Sequence, residues 1–313
     1  MESATATGGR VLGRGARSYG RSERRLAAAM VAPALVVIAL VAAYPIGYAI
    51  WLSLNEYSVK VPGLSRWVGL DNYIDALNSS EFWSATFTTF EFTAISVSLE
   101  LLIGLGMALA MHAAFKGRAV LRTVVLVPWA ILTVVTGITW RTLFEPNLGL
   151  APVTLDKLGL PGAHVVWLGE SGYAFAVMVF ADVWKTAPFM ALLLLAGLQV
   201  IPDELYDAAK VDGANAWQRF RRVTLPLLRP AILVALIFRT LDALRIFDLP
   251  FILTNGANGT TTLSLLSYQE LSQDRLIGPG SALAVLTFLI VMAVSFLYIR
   301  FMGGNIRALA EET

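Results

Sequence analysis

The sequence predicts an all-α, polytopic membrane protein with six transmembrane helices. Three observations carry that prediction. Of the 313 residues, 57% are hydrophobic and only 15% charged, whereas soluble domains are about a quarter charged. Apolar runs long enough to cross a ~30 Å hydrocarbon layer recur along the chain. The basic residues gather in alternate connections between those runs. The absence of cysteine excludes disulfides, thiol catalysis and cysteine-held metals. A net charge of +2 is too small for a nucleic-acid surface.

Residues 1–25 are small, polar and rich in arginine, and read as a disordered basic cytoplasmic tail. The apolar run that follows is too long for a signal peptide, and no small-residue cleavage site interrupts it. It is expected to remain as the first span, at 27–52. Further spans are expected near 85–112, 120–143, 173–200, 230–251 and 280–302, within a membrane domain covering 26–302. Residues 303–313 form a second cytoplasmic tail. Pro33, Pro45, Pro128 and Pro188 fall inside spans, where packed neighbours can satisfy the freed backbone groups.

Of the 24 lysines and arginines, 16 fall on one side, in 10–25, 116–122, 210–229 and 300–307. Five fall on the other: Lys60, Arg66, Arg141, Lys157 and Arg275. This asymmetry predicts cytoplasmic termini. The outer connections, near 53–84, 144–172 and 252–279, suit either an extracytoplasmic partner or plain linkage.

The cytoplasmic connection 201–226 is organised. Pro202, Asp203 and Glu204 mark a helix start, with acids at the positive end of the dipole. Gly213 breaks that helix and Asn215 caps a second short one. Pro226 is expected to end the second helix before the next span. Ala208 and Ala209 allow close entry into a cleft, with Tyr206, Val211, Trp217 and Phe220 as apolar anchors.

The stretch DAAKVDGANAWQRFRRVTLP, 207–226, resembles the coupling-loop signature of binding-protein-dependent ABC importer permeases. That signature is Glu-Ala-Ala, three residues, Gly, nine residues, Ile, any residue, Leu-Pro. Asp207, Ala208, Ala209, Gly213, Val223, Leu225 and Pro226 fall on it, with Asp for Glu and Val for Ile as departures. VAPALVVIALVAAYPIGYAIWLSL, VGLDNYIDAL, LAGLQVIPDELYDAA and FDLPFILTNGAN are similar to the maltose-type sugar branch of that family. WKTAPFMALLLLAGL and FRTLDALRIFD are similar to first permease subunits of the mycobacterial trehalose-importer type.

The resemblance implies a type I ABC importer permease forming half of a disaccharide path, with trehalose as the implied sugar. It implies a second homologous permease subunit, an ATP-binding cassette ATPase dimer and an extracytoplasmic sugar-binding lipoprotein or periplasmic protein. The coupling positions it implies are Asp207, Ala208, Ala209, Asp212, Gly213, Ala214, Leu225 and Pro226. It places ATP-Mg on the partner ATPase and no cofactor on this chain. Independently, the chain contains no G-x-x-x-x-G-K-[ST] loop to cradle nucleotide phosphates. No catalytic triad, paired-carboxylate site or metal set is visible.

Charges inside a span each need a partner or a task. Asp182 and Lys185 lie in the fourth span; Arg239, Asp242, Arg245 and Asp248 lie in or near the end of the fifth. At about 1.5 Å per residue, Asp182 is roughly 14 Å from the outer end of its span, and Arg239 roughly 15 Å from the inner end of its own. Two readings stand. Pairs at i, i+3 can neutralise one another: Asp182 with Lys185, Arg239 with Asp242, Asp242 with Arg245. Alternatively the groups line a path and hydrogen-bond sugar hydroxyls. Maltose-type permeases hold sugar-contacting residues on these same two spans, and the matching positions are Asp182, Lys185, Thr186, Phe189, Arg239, Asp242 and Ala243. The maltose protein has mainly uncharged residues there, so the binding pose is expected to differ. Glu91 and Glu100 in the second span are expected to be buried and to make helix–helix hydrogen bonds. His112 is expected to support a helix C-terminus. An ion-coupled secondary sugar transporter acting alone is the alternative, and it leaves 207–226 without a purpose.

Overall fold

A computed structural model describes residues 15–58, 65–113 and 116–311. Residues 1–14 of the expected tail, Lys60, and the last two residues lie outside them. The chain divides into two compact units, Met1–Trp51 and Leu52–Thr313.

The first unit holds nearly all of α1 (Gly15–Ser53). Residues 15–25, expected to be tail, are assigned to this helix. Its apolar stretch, Arg24–Ser53, is long enough to span. Near its end Tyr44 stacks on Tyr48, with ring centroids 6.2 Å apart, and Tyr48 stacks on Trp51 at 6.1 Å. Amphipathic rings of this kind settle at a membrane–water boundary.

The second unit opens with a small antiparallel hairpin, β1 (Asn55–Tyr57) and β2 (Ser65–Trp67), in the register Asn55↔Trp67. It is followed by α2 (Asp71–Asn78). Buried Asn72 donates through Nδ2 to the carbonyls of Ser53 and Asn55, so one amide ties the hairpin to α2. Next come α3 (Ser80–His112), α4 (Arg118–Ala130), α5 (Thr133–Leu143) and α6 (Leu150–Lys157). Ser79 caps α3 by accepting from the Phe82 amide. The chain continues as α7 (Ser171–Leu198), α8 (Asp203–Val211), α9 (Ala216–Arg219) and α10 (Leu225–Ala243). It finishes with α11 (Asp248–Thr254), α12 (Leu263–Tyr268) and α13 (Ile277–Glu311).

Among the described residues five helices are long and apolar enough to span, and six spans result if α4 and α5 count as one. The core lies where α3 and α7 pack side by side, around Phe92, Met178, Met190, Leu194 and Leu198. Gly104 lets the two helices close: a Cβ there would meet Met190 Cγ at 2.8 Å.

Two expected spans are corrected. The third is not one straight helix but two, α4 and α5, meeting at 88°. Pro128 has no N–H for the carbonyl one turn earlier, which weakens the last turn of α4. Ile131 and Leu132 are then extended, with ψ of 137° and 138°. Beyond the bend, α5 packs against α11, where a Cβ on Gly137 would lie 2.9 Å from Ile252. Tertiary packing sets the new direction.

The fifth expected span, 230–251, instead runs from Ala216 to Ala243. Pro226 does not end the short helix before it. A π-turn over Phe220–Thr224 lets the Leu225 amide reach the Phe220 carbonyl, and Pro226 then takes a first-turn position of α10. The span stops at Ala243, and Pro250 could not donate to Ile246 in a helix continued past it. The Ile246 carbonyl accepts from Thr262 Oγ1 at 2.9 Å instead. Pro250 sits harmlessly in the first turn of α11.

Candidate functional site

Three helices each bring polar groups from one face to a common point inside the second unit. α3 supplies Ser96 and Glu100, one turn apart; α7 supplies Asp182 and Thr186, one turn apart; α10 supplies Arg239 and Asp242. Arg239 is 2% exposed. Its Nε donates to Glu100 Oε2 at 2.5 Å, and its Nη2 donates to Glu100 Oε1 at 2.6 Å and Asp182 Oδ2 at 3.0 Å. Its Nη1 donates to Asp242 Oδ2. One guanidinium thus faces three carboxylates.

Hydroxyls complete the cluster. Ser96 Oγ is 2.8 Å from Glu100 Oε1 and 2.5 Å from Asp182 Oδ2. Thr186 Oγ1 is 2.7 Å from Glu100 Oε1 and 2.6 Å from its own helix's Asp182 carbonyl. Burying charge is expensive, and a cluster of this kind holds only when each group finds partners.

The buried side of the cluster is Glu100, and the open side is Asp242, whose side chain is 68% exposed. Asp242 faces a cavity of about 160 Å³. Asp182, Lys185, Thr186, Arg239, Asp242 and Ala243 all line it, so six of the seven expected path positions converge there. Phe189 is not among them; it stacks on Trp129 of α4 with centroids 5.6 Å apart. The bend between α4 and α5 delivers Thr133, and the break after α10 delivers Arg245, Phe247 and Asp248. The wall therefore carries both signs of charge and abundant donors and acceptors, which suits a neutral polyhydroxylated ligand. Sites that enclose a whole small molecule measure roughly 300–1,000 Å³. This cavity is about half the lower figure, so it can receive one end of a disaccharide.

The pairings read from spacing are partly corrected. Arg239 and Asp242 do pair. Asp182 pairs with Arg239 rather than Lys185, because α10 brings a better placed cation across the helix boundary. Arg245 turns its Nε to the Leu241 carbonyl rather than to Asp242. Glu100 makes the expected helix–helix bonds, but Glu91 is exposed and makes none among the described residues. Ser96 was missed, although a Ser–Glu pair at i, i+4 inside an apolar run was a usable signal. Thr133 had none, since only the bend brings it to the cavity.

The 201–226 connection adopts the helix–Gly–helix form. α8 ends in a Schellman motif: the Gly213 amide donates to the Lys210 carbonyl and the Ala214 amide to the Ala209 carbonyl. Gly213 has φ +77°, as that motif requires. Asn215 and Gln218 form a reciprocal capping box at the start of α9. Asp207, Ala208, Asp212 and Gly213 are exposed, whereas Ala209, Ala214, Leu225 and Pro226 are half-buried. Tyr206 turns inward, its hydroxyl 3.2 Å from Thr224 Oγ1. Val211 is 88% exposed and Trp217 65%, the indole stacking on Phe220 with centroids 5.5 Å apart. α3 ends at His112 as expected. Among the described residues no group of acids and histidines could hold a metal ion.

The model of the family described as binding-protein-dependent transport system inner membrane component matches residues 101–304. The chain belongs to that family. It is a permease subunit of the ABC importer type. This permease is 44% identical to the trehalose transport system permease protein SugA of Mycobacterium tuberculosis, over 90% of each chain. It is 44% identical to the trehalose/maltose transport system permease protein MalF of Thermococcus litoralis, over 89% of this chain and 94% of the other. Its fold is that of a chain in the bacterial alginate ABC transporter solved in complex with an alginate pentasaccharide-bound periplasmic protein. The TM-score is 0.77 at 22% identity, covering 90% of this permease and 95% of that chain.

Proposed function

We propose that this permease carries a disaccharide of the trehalose type and forms half of its path. The observation that carries the reading is the charged but internally paired cluster around Arg239, opening on a cavity part-way along α7 and at the C-terminal end of α10. Its lining matches a neutral polyol. Its volume, below that of a whole-sugar site, fits a path completed by a second homologous permease. The names of the relatives at 44% identity point to the same sugar.

The helix–Gly–helix segment is the coupling element in this reading. Asp207, Ala208, Asp212 and Gly213 present its exposed surface, and Val211 and Trp217 supply apolar contacts to an ATP-binding cassette ATPase. ATP and Mg²⁺ bind on that ATPase, and this chain performs no catalysis. Closure of the ATPase pair pushes α8 and α9. Because α9 runs through the π-turn into α10 without a break, the push travels to Arg239 along one helical rod. An extracytoplasmic binding protein delivers the sugar. The permease sits in the plasma membrane of a bacterium with both termini in the cytoplasm, following the distribution of Lys and Arg.

The test is uptake by the complex reconstituted in vesicles with its ATPase inside, comparing labelled trehalose, maltose and glycerol phosphate. ATP-dependent accumulation of trehalose above the other two is expected. Uphill uptake by this chain alone would overturn the reading.

A further inference from the structure

We propose that a basic pocket between the end of α3, the start of α4, the end of α7 and the segment α8–α9 binds a phosphate group. The group is carried by an anionic phospholipid or by a soluble phosphate ester. The site shares with the reading above only the cytoplasmic placement of α8.

Two spanning helices end here, α3 at His112 and α7 at Leu198, and α4 begins at Arg118. Between them and α8–α9 lies a cavity of about 1040 Å³. The ends of spans lie where headgroups and water meet the hydrocarbon. A phosphate can therefore arrive from either side of that boundary.

The charge on the wall is unbalanced. Arg118, Arg122, Lys210 and Arg219 line the cavity, against the carboxylates of Asp203 and Asp207. Lys210 donates to Asp207 at 2.7 Å, so those two neutralise each other. Asp203 lies in the first turn of α8, where the positive end of the helix favours it. The three arginines make no ion pair among the described residues.

The arginines are partly anchored and still hold donors in reserve. Arg118 and Arg122 are four residues apart on α4 and so share a face. Arg122 Nη2 donates to the Met111 carbonyl at 2.9 Å, which fixes the guanidinium against the end of α3. Its Nε is buried and has no acceptor among the described residues. A buried donor left in that state is costly, and an oxygen of a ligand relieves it. Arg219 reaches in from α9, with Nη1 donating to the Ala214 carbonyl at 2.8 Å.

Guanidinium forks match phosphate oxygens in geometry as well as charge. Basic pockets between spanning helices on the cytoplasmic side take phospholipid headgroups in this way. The cavity is far larger than a bare phosphate, and Leu109 and Ile201 also line it. That space suits the organic group of an ester.

Three variants test the site. Arg118→Gln removes an exposed cation of the pocket. Arg122→Lys keeps the charge and removes the buried Nε. Arg222→Gln removes an exposed cation that does not line the pocket. The full complex is stripped of lipid in detergent. It is titrated with phosphatidylglycerol in one arm and with inorganic phosphate or glucose 6-phosphate in the other. Adducts on this chain are counted by native mass spectrometry after the subunits are released. Wild type is expected to take up the phosphate compound in at least one arm, and the arm that binds names the source. Arg118→Gln and Arg122→Lys should bind about tenfold more weakly, the scale of one charge-assisted hydrogen bond, and Arg222→Gln as wild type does. No adduct in either arm overturns the proposal. Equal weakening in all three variants overturns it as well, because it would mean diffuse surface charge. So does loss of the ATPase from the two pocket variants with phosphate binding intact, which would give the pocket to a carboxylate of the partner. The readout needs no transport, so a failure of sugar uptake bears on the reading above and not on this site.

Discussion

Arg239 and Glu100 are 139 positions apart and meet through two hydrogen bonds, Nε to Oε2 at 2.5 Å and Nη2 to Oε1 at 2.6 Å. Glu100 is fully buried and bonds Arg239 through both of its oxygens. The pair joins the core of the α3–α7 packing to the far end of α10. It holds the guanidinium in place while its fourth contact, to Asp242, faces the cavity.

Breaking that pair from one side is expected to be severe. Arg239→Met leaves three carboxylates without their cation, and removing one partner of a buried pair costs about 3–5 kcal/mol. The thermal unfolding midpoint of the purified complex in detergent should fall clearly, and uptake should be lost. Adding Glu100→Gln to that variant should restore part of the midpoint but none of the uptake. Full stability of Arg239→Met alone would contradict the cluster's role.

Asp242→Asn separates structure from transport. Arg239 keeps Glu100 and Asp182, so the unfolding midpoint should stay close to wild type. A hydrogen bond to a charged group is worth about 1.5–3 kcal/mol, so sugar uptake should drop roughly ten- to a hundredfold if Asp242 grips the substrate. Equal uptake by Asp242→Asn and wild type would remove this residue from the path.

Gly213 tests coupling. Its φ of +77° disfavours side chains, yet a Cβ there would meet nothing of this chain within 4 Å. Gly213→Asn, which tolerates that backbone region, should leave the chain in the membrane at a local cost of about 1 kcal/mol or less. Gly213→Trp should also insert, but its bulk would stand between α8 and the ATPase. Sugar-stimulated ATP hydrolysis should survive largely in Gly213→Asn and vanish in Gly213→Trp. Normal stimulation in the tryptophan variant would argue that the exposed segment touches no partner.

Gly104→Val probes the core. Its side chain would enter the space of Met190 and approach the Ala187 carbonyl, 3.2 Å from the new Cβ. Overpacking of this kind costs about 1–3 kcal/mol. The unfolding midpoint should drop, with Gly104→Ala intermediate because methionine yields readily. Substituting Gly106 by valine, in open space on the opposite face, should leave the midpoint of the isolated chain unchanged.

Much of this molecule was legible in the order of its residues alone. Apolar runs must be covered by lipid or protein, so their lengths located the spans to within a few residues, except where a helix breaks. Gly213, Asn215 and the 207–226 spacing determined the helix–Gly–helix segment, because left-handed glycines and side-chain caps act over three or four residues. The mid-span charges marked α7 and α10 as the helices of interest. Three things waited for the tertiary structure. The bend between α4 and α5 depends on what α5 packs against. The continuity of α9 into α10 depends on a π-turn that absorbs Pro226. The choice of Arg239 over Lys185 as the partner of Asp182, with Glu100 completing the cluster, depends on three helices meeting at one depth. Local sequence governs the backbone within a turn or two. Which buried charge meets which is decided by long-range packing, since in a low-dielectric interior the nearest well-oriented counter-charge wins regardless of its distance along the chain.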